Sequence, residues 1–121
     1  AGVGVAQANQ MAMVQQLRTA EKSLAVARTE VSSAQASRNL SKTNFERASF
    51  LLSQGAIGRF DYDRARTDLE ISSNRVQVAE EKVAQAQVAI NQARAVVGQA
   101  TATVQQAQSQ VAAAAVNVGL R

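Results

Sequence analysis

The stretch ERASFLLSQGAIGRFDYDRA, from Glu46 to Ala65, decides the fold of this chain. It is the one clear break between two long runs of seven-residue repeats. It contains or adjoins all four aromatic residues of the protein, which are Phe45, Phe50, Phe60 and Tyr62. Aromatic side chains supply large contact areas. We therefore expect a bend that carries them to touch another molecule.

Heptad repeats extend outward from this stretch in both directions. In the second half, Val or Ile recurs every seven residues over 76–118, and Ala holds the interleaved positions over 79–114. Together these positions form a stripe along one face of a helix. Extended backwards, the stripe includes Tyr62, Ala65, Leu69 and Ser72. The first half carries the same pattern from Met13 to Leu52. Arg38 occupies one stripe position, where it either fixes the register or extends its head to water. The alternating spacing of three and four predicts a coiled coil.

The two stripes face each other if the chain folds back on itself. Residues whose numbers sum to about 114 then pair, as in Val31 with Val83 and Phe45 with Leu69. We predict an all-α fold, a long antiparallel two-helix coiled-coil hairpin over 1–121. Arm one would cover about 3–54, the turn 55–58 and arm two about 59–118, with arms roughly 75 Å long. Residues after about 112 lack a partner in arm one, so either arm one was cut short or this end packs on something absent. We expect the chain to be a fragment of a larger protein.

Composition and charge exclude several classes of function. The 121 residues include no His and no Cys, which removes the commonest general base and metal ligand and most nucleophile–base pairs. We therefore expect no enzymatic activity and no cofactor. The net charge of +4 arises from basic residues that alternate with acids, which argues against nucleic-acid binding. The longest apolar run, 111–116, is too short to span a bilayer.

The end of the first helix is predicted from one glycine. Gly55 suits the left-handed conformation that often follows the last residue of a helix. In that register Leu51 lies at the third-from-last helical position. Its contact with Ala56 would complete a Schellman motif, which closes the helix with two backbone hydrogen bonds.

The start of the second helix is predicted from its neighbours. Gly58 suits the N-cap, where Gly ranks just behind Ser and Asn. Asp61 then lies at the third helical position, where its charge favours the helix N-terminus. Ile57 and Tyr62 can form a hydrophobic staple across this start. We assign Gly55, Ile57, Asp61 and Tyr62 to the formation of a short, stiff turn.

Other apolar residues near the bend are not needed by the stripes. Phe50 and Phe60 lie off them, Leu51 lies on the flank of its stripe, and Arg47 is directed to solvent. These side chains either fold over the bend and cap the helix pair, or form a contact patch for a partner or sister subunit. The second interpretation is favoured, because exposed aromatics beside Arg are typical of interface hot spots.

At this point the residues indicate a family. The segment Arg47-x3-Leu51-x3-Gly55-Ala56-Ile57, followed by Asp61-Tyr62-Asp63-x-Ala65, resembles the hairpin tip of periplasmic adaptor proteins. These are also called membrane fusion proteins, and the likeness is to the HlyD/EmrA/MacA type. In that family an Arg, a Leu and a Ser near the tip engage a TolC-like outer-membrane channel. Arg47 and Leu51 match the first two positions. Gly58 stands at the third, so the hydroxyl contact is lost.

The resemblance implies a function and a set of partners. The chain would be the hairpin of a tripartite efflux or type I secretion adaptor, docking tip-to-tip with a TolC-like channel and helping to form a sealed periplasmic conduit. It would act in the periplasm, as part of an inner-membrane-anchored protein that meets an ABC or MFS transporter through its other domains. Six hairpins would form a tube. The resemblance implies docking through Arg47, Leu51 and the position held by Gly58. Phe50 and Phe60 complete the predicted docking residues, because they lie near the bend and off the stripes.

Two other functions fit the same repeats. A purely structural coiled-coil spacer or oligomerisation segment explains the heptads equally well, but it does not explain the aromatic bend. An amphipathic helix pair lying on a lipid surface is a weaker alternative. Its Ala-rich stripe would be a poor membrane face, and Lys and Arg do not line the borders of that stripe.

Overall fold

A computed structural model describes residues 2–119 of the protein, which form two long helices and no strand. Helix α1 spans Gly2–Ser53 and helix α2 spans Arg59–Gly119. The prediction of an all-α hairpin, with two helices packed against each other, is confirmed. Proline is absent from the sequence and Ala and Gln are abundant, so nothing in either helix forces a break. The assignment of the chain as one domain cut from a larger adaptor stays a prediction.

Contacts divide the chain into two compact units, which we describe separately. The tip unit is Leu24–Gln85 and contains the bend. The terminal unit combines Ala1–Ser23 with Ala86–Arg121. Each unit therefore takes one segment from α1 and one from α2.

In the tip unit, two contacts between the helices fix the register. The hydroxyl oxygens of Ser41 and Ser72 lie 2.8 Å apart, and the Lys82 ammonium lies 3.8 Å from a Glu30 carboxylate oxygen. In each pair the two residue numbers sum to within two of 114, the value expected from aligning the stripes. The helices are therefore antiparallel and paired as the heptads predict.

The core of the tip unit is the predicted stripe. Every stripe position of this unit is buried or half-buried, Arg38 included. The buried members are small or medium-sized, namely Leu24, Ala27, Ala48, Ser72, Val76 and Ala79. Alanine contributes little apolar area, so each layer of this core stabilises the hairpin less than a leucine layer would.

Ser72 introduces a polar layer into this core. Its hydroxyl donates to the Asp68 carbonyl oxygen at 2.8 Å. A hydroxyl has one proton, so the Ser41 hydroxyl is the donor in the contact between the two serines. Both polar groups are thereby satisfied inside a stripe that otherwise consists mainly of Ala, Val and Leu.

We expect the two serines to behave as a coupled pair. Ser41→Ala or Ser72→Ala should each lower the free energy of unfolding by about 1 kcal/mol, because one hydroxyl loses its partner across the helices. The double substitution should cost less than the sum of the two, since it leaves no unmatched hydroxyl in the stripe. Urea unfolding of the four proteins checks this. Strictly additive losses would show that the hydrogen bond contributes nothing.

The terminal unit is built around Ile90, whose side chain is 1% exposed. Ala6, Ala100 and Val104 are also buried, and the Gln10 side-chain amide donates to the Thr101 hydroxyl at 2.9 Å. The first-half stripe therefore begins before Met13, where the sequence pattern places its start. Gln10 occupies a stripe position. Because its side chain is polar, the apolar repeat in the sequence does not extend back to this residue.

The last part of α2 has no covering layer within the described chain. All residues over 108–119 are exposed, including the stripe positions Val111 and Val118. The repeat of Val and Ala therefore continues past the last buried residues of α2. This agrees with the expectation that the end of arm two lacks a partner in arm one.

Candidate functional site

The bend closes α1 with a Schellman motif. Gly55 has a φ of 71°, in the left-handed region that favours glycine. The Ala56 amide donates to the Leu51 carbonyl oxygen at 2.8 Å, and the Gly55 amide donates to the Leu52 carbonyl oxygen at 3.0 Å. These two bonds satisfy carbonyl groups that the end of the helix would otherwise leave without partners.

Helix α2 begins after Gly58. The Gly58 carbonyl oxygen accepts the first backbone bond of the helix, from the Tyr62 amide at 3.3 Å, which makes Gly58 the N-cap. Asp61 lies in the first turn, where its carboxylate faces the positive end of the helix dipole. Ile57 and Tyr62 are both half-buried. Five residues, 54–58, therefore join two helices, with a defined cap on each side.

Tyr62 forms an aromatic pair beneath the bend. Its ring centroid lies 5.5 Å from that of Phe45, with the planes tilted by 40°. The stripes alone place Phe45 opposite Leu69, so this contact was not predicted. The Arg59 guanidinium lies 5.7 Å from the centre of the Tyr62 ring. At that distance the cation is attracted by the ring face.

Asp63 connects two arginines on the outer surface of α2. One of its oxygens, Oδ1, lies 3.6 Å from Arg59 Nε and 3.6 Å from Arg66 Nη2. The three side chains remain substantially exposed, so these pairs contribute a few tenths of a kcal/mol at most. Arg59 lies near both Asp63 and the Tyr62 ring, and Asp63 Oδ1 forms no hydrogen bond at these distances. Sequence reasoning missed this network, although the spacing of three and four residues is its signal.

The predicted docking residues differ in exposure. The side chains of Phe50 and Phe60 are 62% and 77% exposed, and Arg47 and Gly58 are exposed as well. Leu51 is half-buried, as its place in the Schellman motif requires. The two phenylalanines therefore do not cap the helix pair. A shallow surface cavity of about 320 Å³ adjoins Phe60 and is lined further by Asp63, Arg64, Thr67 and Asp68.

The same substitution should have opposite effects at two glycines. Gly55→Ala should lower the free energy of unfolding by about 1–2 kcal/mol, because alanine is strained at this positive φ. Gly98→Ala should raise it by up to about 1 kcal/mol, because Gly98 lies inside α2 and a methyl group there meets no atom within 4 Å. Thermal unfolding followed by circular dichroism compares the two. Equal shifts of the same sign would contradict this account of the turn.

Comparison with known protein families assigns the segment that carries this bend. Residues 26–85 match the family model of the CzcB-like, alpha-helical hairpin domain. The chain contains a CzcB-like hairpin domain. This domain is an element of the membrane fusion protein family, and the predicted recognition of an adaptor hairpin is confirmed at that level. The match lies wholly inside the tip unit and includes every predicted docking residue. No curated protein and no solved structure matches the chain significantly.

The family whose hairpin domain matches residues 26–85 has general properties. Membrane fusion proteins are periplasmic and assemble with an outer-membrane channel and an inner-membrane transporter. Neither helix, over the residues described, is long and apolar enough to cross a membrane. The same residues contain no group of three or more acidic, His or Cys side chains that could hold a metal ion.

Proposed function

We propose that this chain is the hairpin of a periplasmic adaptor of the HlyD/EmrA/MacA type, serving tripartite efflux or type I secretion. Its bend docks tip-to-tip with a TolC-like outer-membrane channel. Its arms help to form a sealed conduit across the periplasm. The role is non-catalytic. An ABC or MFS transporter meets the other domains of the inner-membrane-anchored adaptor, and six hairpins stand side by side.

The observation that carries the proposal is the exposure of Phe50 and Phe60 on a rigid turn inside a membrane fusion protein hairpin. Two large aromatic rings in water are unfavourable unless a partner covers them. The turn between them is fixed by the Gly55 conformation and by the caps on both helices. A rigid presentation lowers the entropy lost on binding, so the bend is organised in advance for contact.

Charge at the bend supports the same function. Arg47 is exposed on α1, two turns before the helix ends, whereas Arg59 lies close to the Asp63 carboxylate and the Tyr62 ring. Arg47 therefore keeps its hydrogen-bonding fork available to carboxylates or carbonyls of a partner. Gly58 offers no hydroxyl. The proposal accordingly assigns selectivity for the channel to Arg47 and the two phenylalanines, with Leu51 supporting the turn.

Charge reversal at Arg47 tests the proposal against a matched control. Arg47→Glu should weaken equilibrium binding of the chain to a purified TolC-like channel by about tenfold or more, which equals about 1.4 kcal/mol. Arg28→Glu makes the same change of net charge at another exposed position of α1 in the tip unit, and it should leave affinity nearly unchanged. Equal losses would indicate a general electrostatic effect. An unchanged affinity for Arg47→Glu would remove this residue from the site.

A further inference from the structure

One flank of the tip unit carries an apolar groove that the bend does not explain. The groove is open, has a volume of about 430 Å³ and runs between the helices. Its floor includes Ala34 and Ala79, whose small side chains leave the space. Ile71 and Val78, both exposed and one heptad apart, form its outer wall.

The two flanks of the tip unit differ in chemistry. Successive residues of a helix are about 100° apart, so heptad positions on either side of the stripe face opposite flanks. The groove flank carries the exposed aliphatic residues Val26, Leu40, Ile71 and Val78. The opposite flank carries polar side chains at the corresponding positions, among them Gln35, Lys42, Glu70, Ser73, Gln77 and Glu80. Exposed aliphatic residues are therefore sorted to one side of the hairpin.

Charge also distinguishes the flanks along α2. Arg75 and Lys82 line the groove, and Lys82 is paired with Glu30 at 3.8 Å. Glu70 and Glu80, both exposed, lie on the opposite flank of the same stretch of helix. Glu30 on the groove rim offsets the charge of Lys82, so Arg75 is the cation that Glu70 and Glu80 of a second copy, placed side by side in parallel, can complement. Ser73 and Ala84 on the acidic side are small, which permits close approach to a groove.

Two copies could pack side by side either groove to groove or groove to opposite flank. Two copies joined groove to groove in parallel would bring Arg75 of one copy towards Arg75 of the other, whereas Lys82 is offset by Glu30. Like charges in such proximity oppose association. A contact between the groove flank of one copy and the opposite flank of the next avoids this. Contacts of that type are heterologous, and they generate closed rings when the rotation between copies closes.

We propose that the groove lined by Ile71, Arg75, Val78 and Lys82 receives the Glu70–Glu80 flank of a second copy of this chain, in parallel and at the same level. The inference rests on the proposed side-by-side assembly and assigns its interface. Ile71 and Val78 lose contact with water, and Arg75 approaches Glu70 and Glu80 of the neighbouring copy. The bend takes no part in this contact, so it remains free to meet a channel.

Cysteine cross-linking tests the orientation of the contact, because the chain contains no Cys. Val78→Cys places a thiol on the groove flank, and Gln77→Cys places one on the opposite flank. Mixing these two proteins at millimolar concentration with a short bis-maleimide should give a mixed dimer, identified by mass. Val78→Cys alone should give little dimer. Glu81→Cys, on the outer face of α2, is the control for random collision.

Charge exchange tests the partners assigned to the rim. Arg75→Glu should weaken self-association by about tenfold in sedimentation equilibrium, and adding Glu80→Arg to the same chain should restore most of it. Dimers from Val78→Cys alone, or no rescue by the second substitution, would overturn the assigned interface while leaving side-by-side assembly standing. No self-association of the unsubstituted chain would overturn both. Channel binding by the bend is measured separately and is unaffected by any of these outcomes.

Discussion

Replacing Ile90 by Ala should lower the free energy of unfolding by about 2–3 kcal/mol, towards the lower end of the range for such core substitutions. Ile90 is the only large side chain in the described residues that is almost completely buried. The loss combines the transfer of three carbon atoms out of an apolar site with the cavity that they leave. A two-helix core has few other layers to share that loss. A shift of the urea midpoint, followed by circular dichroism, measures it.

Val88→Ala provides the matched control for Ile90→Ala. Val88 lies two residues away on the same helix and is 55% exposed. Its truncation removes little buried area, and Ala has the higher helix propensity, so stability should stay the same or rise by a few tenths of a kcal/mol. A loss at Ile90 no larger than the change at Val88 would show that the stripe is not the core of this unit.

Removing both exposed phenylalanines should abolish most of the affinity for a TolC-like channel. The double variant Phe50→Ser, Phe60→Ser should bind about a hundredfold or more weakly, since truncated aromatic anchors commonly cost 2 kcal/mol or more each. The free energy of unfolding should change little, because both rings are largely exposed in the free chain. Binding affinity and thermal stability, measured on the same preparation, separate the two effects.

The control for the bend is another exposed apolar residue. Met11→Ser removes a side chain that is also largely exposed, but in the terminal unit. It should leave channel affinity unchanged. A purely structural spacer predicts a different pattern, in which the Phe50 and Phe60 substitutions are as harmless as the one at Met11. That pattern would exclude the bend as the docking site.

The sequence predicts the fold well because its signals are local and repeated. Hydrophobic spacing determines which residues of each helix are buried, and the stripe positions of the tip unit are covered as expected. Gly55 is equally informative, since few residues other than glycine adopt a φ of 71°. The register follows from aligning the two stripes, and the Ser41–Ser72 contact agrees with it.

Features that depend on side-chain reach were not predictable in this way. Pairing residues by their level along the helices does not place the ring of Tyr62 against Phe45. The same limitation hides the position of Asp63 between two arginines. The apolar flank is hidden for another reason. Ile71 and Val78 resemble scattered surface residues in the sequence, and only the paired helices place them along one groove.

Site-specific cross-linking tests the central claim most directly. A photoreactive residue at position 47 or 51 should trap a TolC-like outer-membrane channel in the assembled adaptor, because both positions belong to the bend that meets it. The same residue at position 28 or 81, on exposed surfaces away from the bend, should not trap the channel. Trapping from position 28 or 81 alone, with none from 47 or 51, would contradict the assignment of this hairpin as a tip-docking adaptor.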